Sequence, residues 1–404
     1  MKPFSTTLHS LPHWVLVGLL SCLAGLGIFS TYIYLPSLPA ITKEFGSQDF
    51  MIKLTIAVGF FGAGLGQLIL GPFSDFLGRR KLVLLSLTLF IVGSLGAAFS
   101  TTIPFLIVMR FIQGASSGTC LAVVRAVARD LFSGKDFTKF MMTVVMVISV
   151  SLAVAPILGG YLQTYFGWRS TFYFLAFASM LIFLFVVLAM SETNASQPTE
   201  KLTHFQIVKG VHNNYGILIR DSYFIVNCLT LGLVFSSTIC MSTMFPFIYS
   251  DFGWSIQAIG YVSGTFAVGN ILGSYISRKV ADWAPGRQII MAALMINLSI
   301  VLLAGSIIVF FEMSPFILLC FVVVMLVFTM LIQSNSSALA LTEHPKRAGT
   351  AASLLGGIHI GSGAIGATLA GVVPDTVSNL FLINFMVFIF CSLLFFPFVY
   401  LKSR

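Results

Sequence analysis

The sequence predicts an all-α polytopic membrane protein with twelve transmembrane helices in two six-helix bundles, and three observations carry that expectation. Of the 404 residues, 57% are hydrophobic and only 9% are charged, with a mean hydropathy of +0.99. A soluble globule is never so apolar, and a single anchor never needs so long a chain. Apolar runs of about 20 residues, one bilayer crossing each, recur from end to end. The longest polar stretch, Ser191 to Asp221, parts six such runs from six.

In chain order the runs are 14–35, 51–73, 82–100, 104–128, 138–162, 169–190, 222–248, 257–277, 288–311, 316–340, 350–372 and 379–401. The first is longer than the apolar region of a signal peptide and is followed by many more, so it is expected to stay as the first helix. Residues 1–190 then form the N-terminal six-helix bundle, 191–221 a cytoplasmic linker and 222–404 the C-terminal six-helix bundle. Within the linker, Leu202, Phe205, Val208 and Val211 recur at helical spacing and suit a helix lying on the membrane face. Asn194-Ala195-Ser196 matches a glycosylation acceptor by chance only, if that segment is cytoplasmic.

An even number of crossings puts both termini on one side. If that side is the cytoplasm, most of the basic residues lie inside, among them Lys2, Arg79, Arg80, Lys81, Arg125, Arg129, Arg220, Arg278, Lys279, Arg287, Lys346, Arg347 and Lys402. Only Lys43, Lys53 and Arg169 lie outside, and Arg110 falls within a span. This is the positive-inside asymmetry, so the net charge of +9 reports topology and not a nucleic-acid partner. The expected location is the cytoplasmic (inner) membrane of a bacterium, with both termini cytoplasmic.

The six cysteines all fall in apolar runs and lack paired spacing for zinc or disulfides. No Walker A loop is present, since Gly134-Lys135 runs into Asp136. No metal, no cofactor and no ATP-driven step are expected. Gly114-Ala115-Ser116-Ser117-Gly118 has the G-x-S-x-G form, but it lies inside a span and not at a strand-to-helix elbow. An intramembrane hydrolase built on Ser116 and His359 is therefore rejected, and the chain is expected not to be an enzyme.

The stretch from Gly71 to Lys81, Gly-Pro-Phe-Ser-Asp-Phe-Leu-Gly-Arg-Arg-Lys, joins the second and third spans. Gly71 and Gly78 permit tight turning, Asp75 accepts hydrogen bonds at a helix end, and Arg79 and Arg80 hold the loop inside. At this spacing it resembles the loop-2/3 signature of the major facilitator superfamily, with Phe76 where that family usually has a basic residue. The resemblance implies a latch that pins the two halves in one conformation. A degraded echo lies between the eighth and ninth spans, at Gly273, Ser277-Arg278-Lys279, Asp282 and Gly286-Arg287. Repeated halves suit a rocking two-bundle transporter.

Further matches point to the bicyclomycin/chloramphenicol-resistance (Bcr/CflA) branch of drug:proton antiporters. They are Arg125, Arg129 and Asp130 before Leu131-Phe132, Phe245-Pro246-Phe247, Asn270, and Gly349 to Gly356. In the fifth span, Ser151, Ala155 and Gly159 form a small-residue strip beside Pro156 and Gly160. This resembles the superfamily's antiporter signature with two glycines replaced, and it equally suits plain close packing, as do Gly62 and Gly66, and Gly357 and Gly361. The latch set implied by the resemblance is Gly71, Asp75, Gly78, Arg79, Arg80, Arg129 and Asp130.

Arg110 is the sharpest single residue, because an arginine near a span centre costs about 2.5–3.5 kcal/mol on insertion scales. Gln113, Gly114, Ser117 and Gly118 follow on its face. It either faces a polar cavity or hydrogen-bonds neighbouring helices, and the resemblance associates this position with proton coupling. All 13 acidic residues fall in predicted loops or near helix ends. The aspartate that the branch carries two positions before Tyr34-Leu35-Pro36 is replaced by Tyr32. His359 stands where the branch tends to have glutamine, and it serves either as a proton carrier or as a packing residue.

The candidate substrate cavity is thus Arg110, Tyr32, Gln113, Asn227, Asn270, Asn335 and His359, with Gln67 and Gln333 as further polar partners, Tyr34 and Tyr261 as aromatic walls, and Arg110 and His359 as coupling groups. Such a chain is expected to be a secondary active transporter working by alternating access. Proton-coupled drug efflux is the first reading and transport of an organic anion, such as a carboxylate metabolite or siderophore, the second. A receptor without transport is the alternative from another class. The expected partners are a small-molecule substrate, protons and the lipid bilayer, and the expected state is a monomer.

Overall fold

The computed structural model describes residues 13–70, 74, 77–132, 134–190, 192–193, 214–342, 344 and 347–401. Every regular element among them is helical. The first half holds α1 (His13–Tyr32), α2 (Leu38–Phe45), α3 (Asp49–Leu65), α4 (Arg79–Ala98), α5 (Ile103–Leu131), α6 (Gly134–Phe166) and α7 (Arg169–Ala189). The second holds α8 (Ser222–Asp251), α9 (Ile256–Gly264), α10 (Phe266–Val280), α11 (Gly286–Phe310), α12 (Pro315–Thr342), α13 (Ala348–Gly361), α14 (Gly363–Val372) and α15 (Val377–Leu401).

Eleven described helical segments are long and apolar enough to cross a membrane. The twelfth crossing comes in two pieces, α9 and α10. At their junction the Thr265 hydroxyl donates to Val262 O at 2.6 Å and the backbone tightens to i→i+3 bonds. A similar break at Ser362 divides α13 from α14, where the Ser362 hydroxyl lies 2.6 Å from His359 O and 2.7 Å from Gly232 O on α8. The first span also departs from the expected 14–35. It runs from Val15 to Phe45 through a 3₁₀ turn at Leu35–Ser37, because Pro36 has no N–H to continue the α-helix.

Among the described residues two large apolar cores result, with a third, smaller one at Leu218, Phe224, Leu231, Ala340 and Leu354. One is drawn mainly from Leu19 to Met190 and the other from Val226 to Phe395, with Phe235, Ile239, Phe247 and Ala367 of the second half reaching into the first. Around the perimeter, Phe99, Phe177, Leu188, Phe310, Phe316 and Leu393 stay exposed, a surface that only lipid would cover. The protein is a multi-pass membrane protein.

Glycine governs the closest crossings. A Cβ added at Gly66 would lie 2.2 Å from Ala115 O, and one at Gly114 only 2.0 Å from Gly59 O, so α3 and α5 touch backbone to backbone inside the first half. Between the halves, Gly64 of α3 meets Gly361 of α13, with 2.7 Å from such a Cβ to Gly361 Cα. The α6 strip divides its work. Ser151 faces Gly25 and Gly159 faces Ile33 O, both on the α1 side, whereas Pro156 and Gly160 face Gly260 of α9 in the other half.

The helices define two ends of the molecule. Arg79, Arg129, Arg220, Arg278, Arg287 and Arg347 mark the basic end, and the α2–α3, α8–α9 and α14–α15 connections mark the opposite end.

Candidate functional site

Arg110 is 2% exposed and lies within the first half, not in the main cavity. Its guanidinium donates to Gln113 Oε1, Gln113 Nε2 donates to Ser94 Oγ at 2.7 Å, and the Tyr34 and Phe172 rings lie 5.1 and 6.0 Å away. The Tyr34 hydroxyl is 3.2 Å from Thr55 Oγ1. Among the described residues, two aromatic faces and an amide chain stabilise the cation with no carboxylate bonded to it, and Nε is buried without a partner. The void beside it, lined by Ser30, Thr31, Gln67 and Ser117, has about 30 Å³, the share of liquid volume taken by one water.

The larger polar cavity lies between the halves and measures about 240 Å³, just under the ~300 Å³ at which small-molecule sites usually begin. Tyr32, Arg125, Ser149, Thr238, Asn270, Gln333 and His359 supply its polar lining. Met141, Val144, Ile148, Leu152 and Phe235 supply apolar walls. No carboxylate lines it among the described residues. An apolar hollow of about 360 Å³ between α3, α8 and α13 lies on the perimeter, and its one polar side chain, Ser362, is already hydrogen-bonded to backbone carbonyls.

Sequence reasoning therefore placed Tyr32, Asn270 and His359 in company that the structure brings together, with Gln333 beside them. Arg110, Gln113, Asn227 and Asn335 belong elsewhere. Asn227 is fully buried and donates to Tyr223 O at 2.9 Å. Asn335 bridges α12 to α10, donating to Ser277 Oγ at 3.1 Å. Tyr34 belongs to the Arg110 cluster, and Tyr261 is an exposed residue bonded to Tyr161 across the halves. Ser116 spends its hydroxyl on Ile112 O at 2.6 Å and lines no site with His359.

Arg125, read from the sequence as part of the inner end of the fourth span, also turns into the cavity, where Nη1 lies 3.2 Å from Gln67 Oε1. The available signal was position: Arg110 and Arg125, fifteen residues apart, fall within about 60° of each other around one helix. His359 faces the Phe235 ring at 4.4 Å, and its Nε2 is buried without a partner. Its neighbouring charge is Arg125, not an acid. Pro156 withholds a backbone donor from Leu152 O, which loosens α6 beside the cavity.

At the basic end, Arg79 Nε donates to Asp130 Oδ2 at 3.0 Å, and Glu192 Oε1 and Oε2 accept from the backbone N–H groups of Arg79 and Arg80 at 2.8 and 3.2 Å. Glu192 completes a cluster that sequence reasoning had built without it. Gly78 has φ +89°, and a Cβ there would lie 2.5 Å from Glu192 Oε2. Arg129 reaches the other half, 2.6 Å from where a Cβ on Gly349 would stand. Gly71 and Asp75 lie outside the described residues, as do the amphipathic pattern of the linker and Asn194.

At the opposite end, Lys53, counted from the sequence among the few basic residues outside, is withdrawn from solvent. It is 1% exposed, pairs with Asp375 and donates to Ala370 O at 2.9 Å, so α3 is tied to the α14–α15 connection. Tyr32 and Ser242 hydroxyls, 3.4 Å apart, also join the halves there. Contacts thus join the halves on the side of the cavity away from the basic end.

A family model described as Major Facilitator Superfamily matches residues 20–368. The chain belongs to this superfamily of transporters. Among its relatives is an uncharacterized MFS-type transporter, YdgK, of Bacillus subtilis, 29% identical over 94% of each chain. A bicyclomycin resistance protein homolog of Haemophilus influenzae is 28% identical, covering 90% of this chain and 89% of that one. A chloramphenicol resistance protein of Pseudomonas aeruginosa is 31% identical over 35% of this chain and 34% of its own. The relatives thus agree with a resemblance to Bcr/CflA-type transporters. In fold, the chain is similar to the crystal structure of the peptide transporter POT in complex with sulfate, with TM-score 0.74, 14% identity and coverage of 96% and 94%. A bacterial homolog of the human lysosomal transporter Spinster matches with TM-score 0.74 and 14% identity over 99% of both chains. The family is a transporter class, not an enzyme class.

Proposed function

We propose that the protein is a proton-coupled exporter of drug-like molecules in the inner membrane of a bacterium, working by alternating access. The observation that carries the reading is the cavity between the halves, walled by apolar side chains and furnished with Arg125, His359, Asn270, Gln333 and Thr238. A few polar groups among apolar walls suit uncharged or weakly polar aromatic compounds. The relatives named for bicyclomycin and chloramphenicol resistance favour this over the organic-anion reading. Lysine and arginine asymmetry makes the basic end cytoplasmic, so the cavity is approached from the cell interior. Residues 1–190 and 222–404 are then the two rocking bodies, joined by 191–221, and one chain suffices for the cycle. The Arg79, Asp130 and Glu192 cluster, with Gly78 and Arg129, is the inner latch.

The test is drug susceptibility in a pump-deficient bacterium expressing the chain. Chloramphenicol or bicyclomycin resistance is expected to rise several-fold, and Thr238→Trp, which fills the cavity, is expected to cancel the rise at equal membrane abundance. Absence of protection against either drug and against a panel of lipophilic compounds contradicts the reading.

A further inference from the structure

Resting on the orientation just proposed, the geometry points to Asp375 as an external proton-binding site that governs closure of the outer end, with Lys53 as its counter-ion. The Asp375 side chain is only 9% exposed and Lys53 only 1%. They sit on different halves, Lys53 on α3 and Asp375 in the α14–α15 connection, so the halves cannot separate at this end without parting them. One carboxylate oxygen, Oδ2, accepts from Lys53, while the other, Oδ1, is buried with no partner. A half-satisfied buried carboxylate costs free energy that a proton on it would relieve.

Lys53 does not depend on Asp375 alone. Its ammonium donates to Ala370 O and lies 4.6 Å from the centre of the Phe247 ring of α8. The other titratable groups acting on Asp375 are Asp49 at the start of α3 and Asp251 at the end of α8, and both add negative charge. Cys240 of α8 feels the same pair. Among the described residues Asp375 is the carboxylate paired with Lys53, while Asp49 and Asp251 act on Asp375 through their charge.

Burial pushes the Asp375 carboxyl up to about 6, against the attraction of Lys53 and assisted by Asp49 and Asp251. When the outer end opens, water reaches the group and its pKa returns toward the ordinary value of about 3.9. The closed end therefore binds the proton more tightly than the open end. By linkage, closure is insensitive to pH well above 6, gains as pH falls through about 6, and stops gaining near 4. Between pH 7 and pH 5 the closed-to-open ratio is expected to rise about tenfold. The proton comes from the external water and returns there on opening, so acid outside favours return of the emptied exporter to its inward state.

The experiment reads the outer end directly. A reporter cysteine, Ser242→Cys, replaces a buried residue that bonds Tyr32 across the halves. Its labelling by a membrane-impermeant maleimide is measured against external pH and corrected for maleimide reactivity with a free thiol, the protein without the reporter giving the background. With the reporter alone, labelling is expected to fall about tenfold between pH 7 and pH 5. Asp375→Asn is expected to give a flat, low profile. Lys53→Gln is expected to move the midpoint to higher pH, a shift that mere loss of a structural contact does not produce. An unchanged profile in Asp375→Asn, an unmoved midpoint in Lys53→Gln, or no pH dependence with the reporter alone overturns the proposal.

This readout needs no drug. A protein that moves no drug yet closes with a midpoint near 6 keeps the Asp375 assignment and loses the substrate reading. Drug efflux accompanied by an unchanged labelling profile in Asp375→Asn does the reverse.

Discussion

Arg110 and Arg125 stand on one helix, yet the interior of the first half and the interface between the halves treat them oppositely. Arg110 is enclosed by Tyr34, Phe172 and the Gln113–Ser94 chain, so its charge is committed to holding α1, α3, α4, α5 and α7 together. Arg125 bonds Gln67, abuts Gly356 of α13 in the other half and lines the cavity. An intramembrane charge marks a constraint, and its neighbours decide whether that constraint is structural or serves a ligand. Satisfied groups hold a fold together. Unsatisfied atoms stand in both regions, Arg110 Nε inside the first half and His359 Nε2 in the cavity, so it is the enclosure by rings and amides that sets Arg110 apart.

The strongest way to break this comparison is at the tightest packing inside the first half. Gly159→Val places a branched side chain where even a Cβ would stand 2.0 Å from Ile33 O. Because backbone cannot yield as a flexible side chain does, near-complete loss of folded protein in the membrane is expected, read by fluorescence-detected size exclusion. Normal abundance and transport in this variant would mean that α1 and α6 are loosely packed.

Next comes the interior. Arg110→Ala leaves a void and strands Gln113, and a loss of about 2–4 kcal/mol is expected, seen as a lower thermal midpoint in detergent. Arg125→Gln, by contrast, is expected to leave that midpoint nearly unchanged. Equal destabilisation by both would erase the distinction between the two regions.

How much of this was legible beforehand follows from what sequence encodes locally. Apolar run length announces the spans, because bilayer thickness fixes it, and Arg110 is conspicuous because so few charges interrupt those runs. The breaks at Thr265 and Ser362 leave no mark in hydropathy, since they arise from hydroxyls competing for backbone carbonyls within continuous apolar stretches. Arg125 was hidden by its neighbours: Arg129 and the basic loop beyond made it read as one more topology signal. Lys53 and Asp375 each read as ordinary loop-edge charges, and only a long-range contact turns them into a buried pair. Of the cavity, the polar residues inside spans were visible, but which of them face the interface depends on helix rotation, and that separated Asn270 from Asn227 and Asn335.

The smallest effect belongs to the exposed rim. Tyr261→Phe removes the bond to Tyr161 while leaving the ring contact, and a change of less than about 1 kcal/mol in stability, with transport retained, is expected. A large loss would make this pair a gate in its own right.

The central claim, that substrate passes through the cavity holding Arg125 and not beside Arg110, is tested most directly by chloramphenicol flux in proteoliposomes under an imposed pH gradient. Flux per folded molecule is compared for the wild type, Arg125→Gln and Arg110→Gln. The account predicts at least a tenfold loss of flux for Arg125→Gln with its thermal midpoint intact, and for Arg110→Gln a lowered midpoint with flux per folded molecule largely kept. Full flux in Arg125→Gln, together with its abolition in well-folded Arg110→Gln, would contradict it.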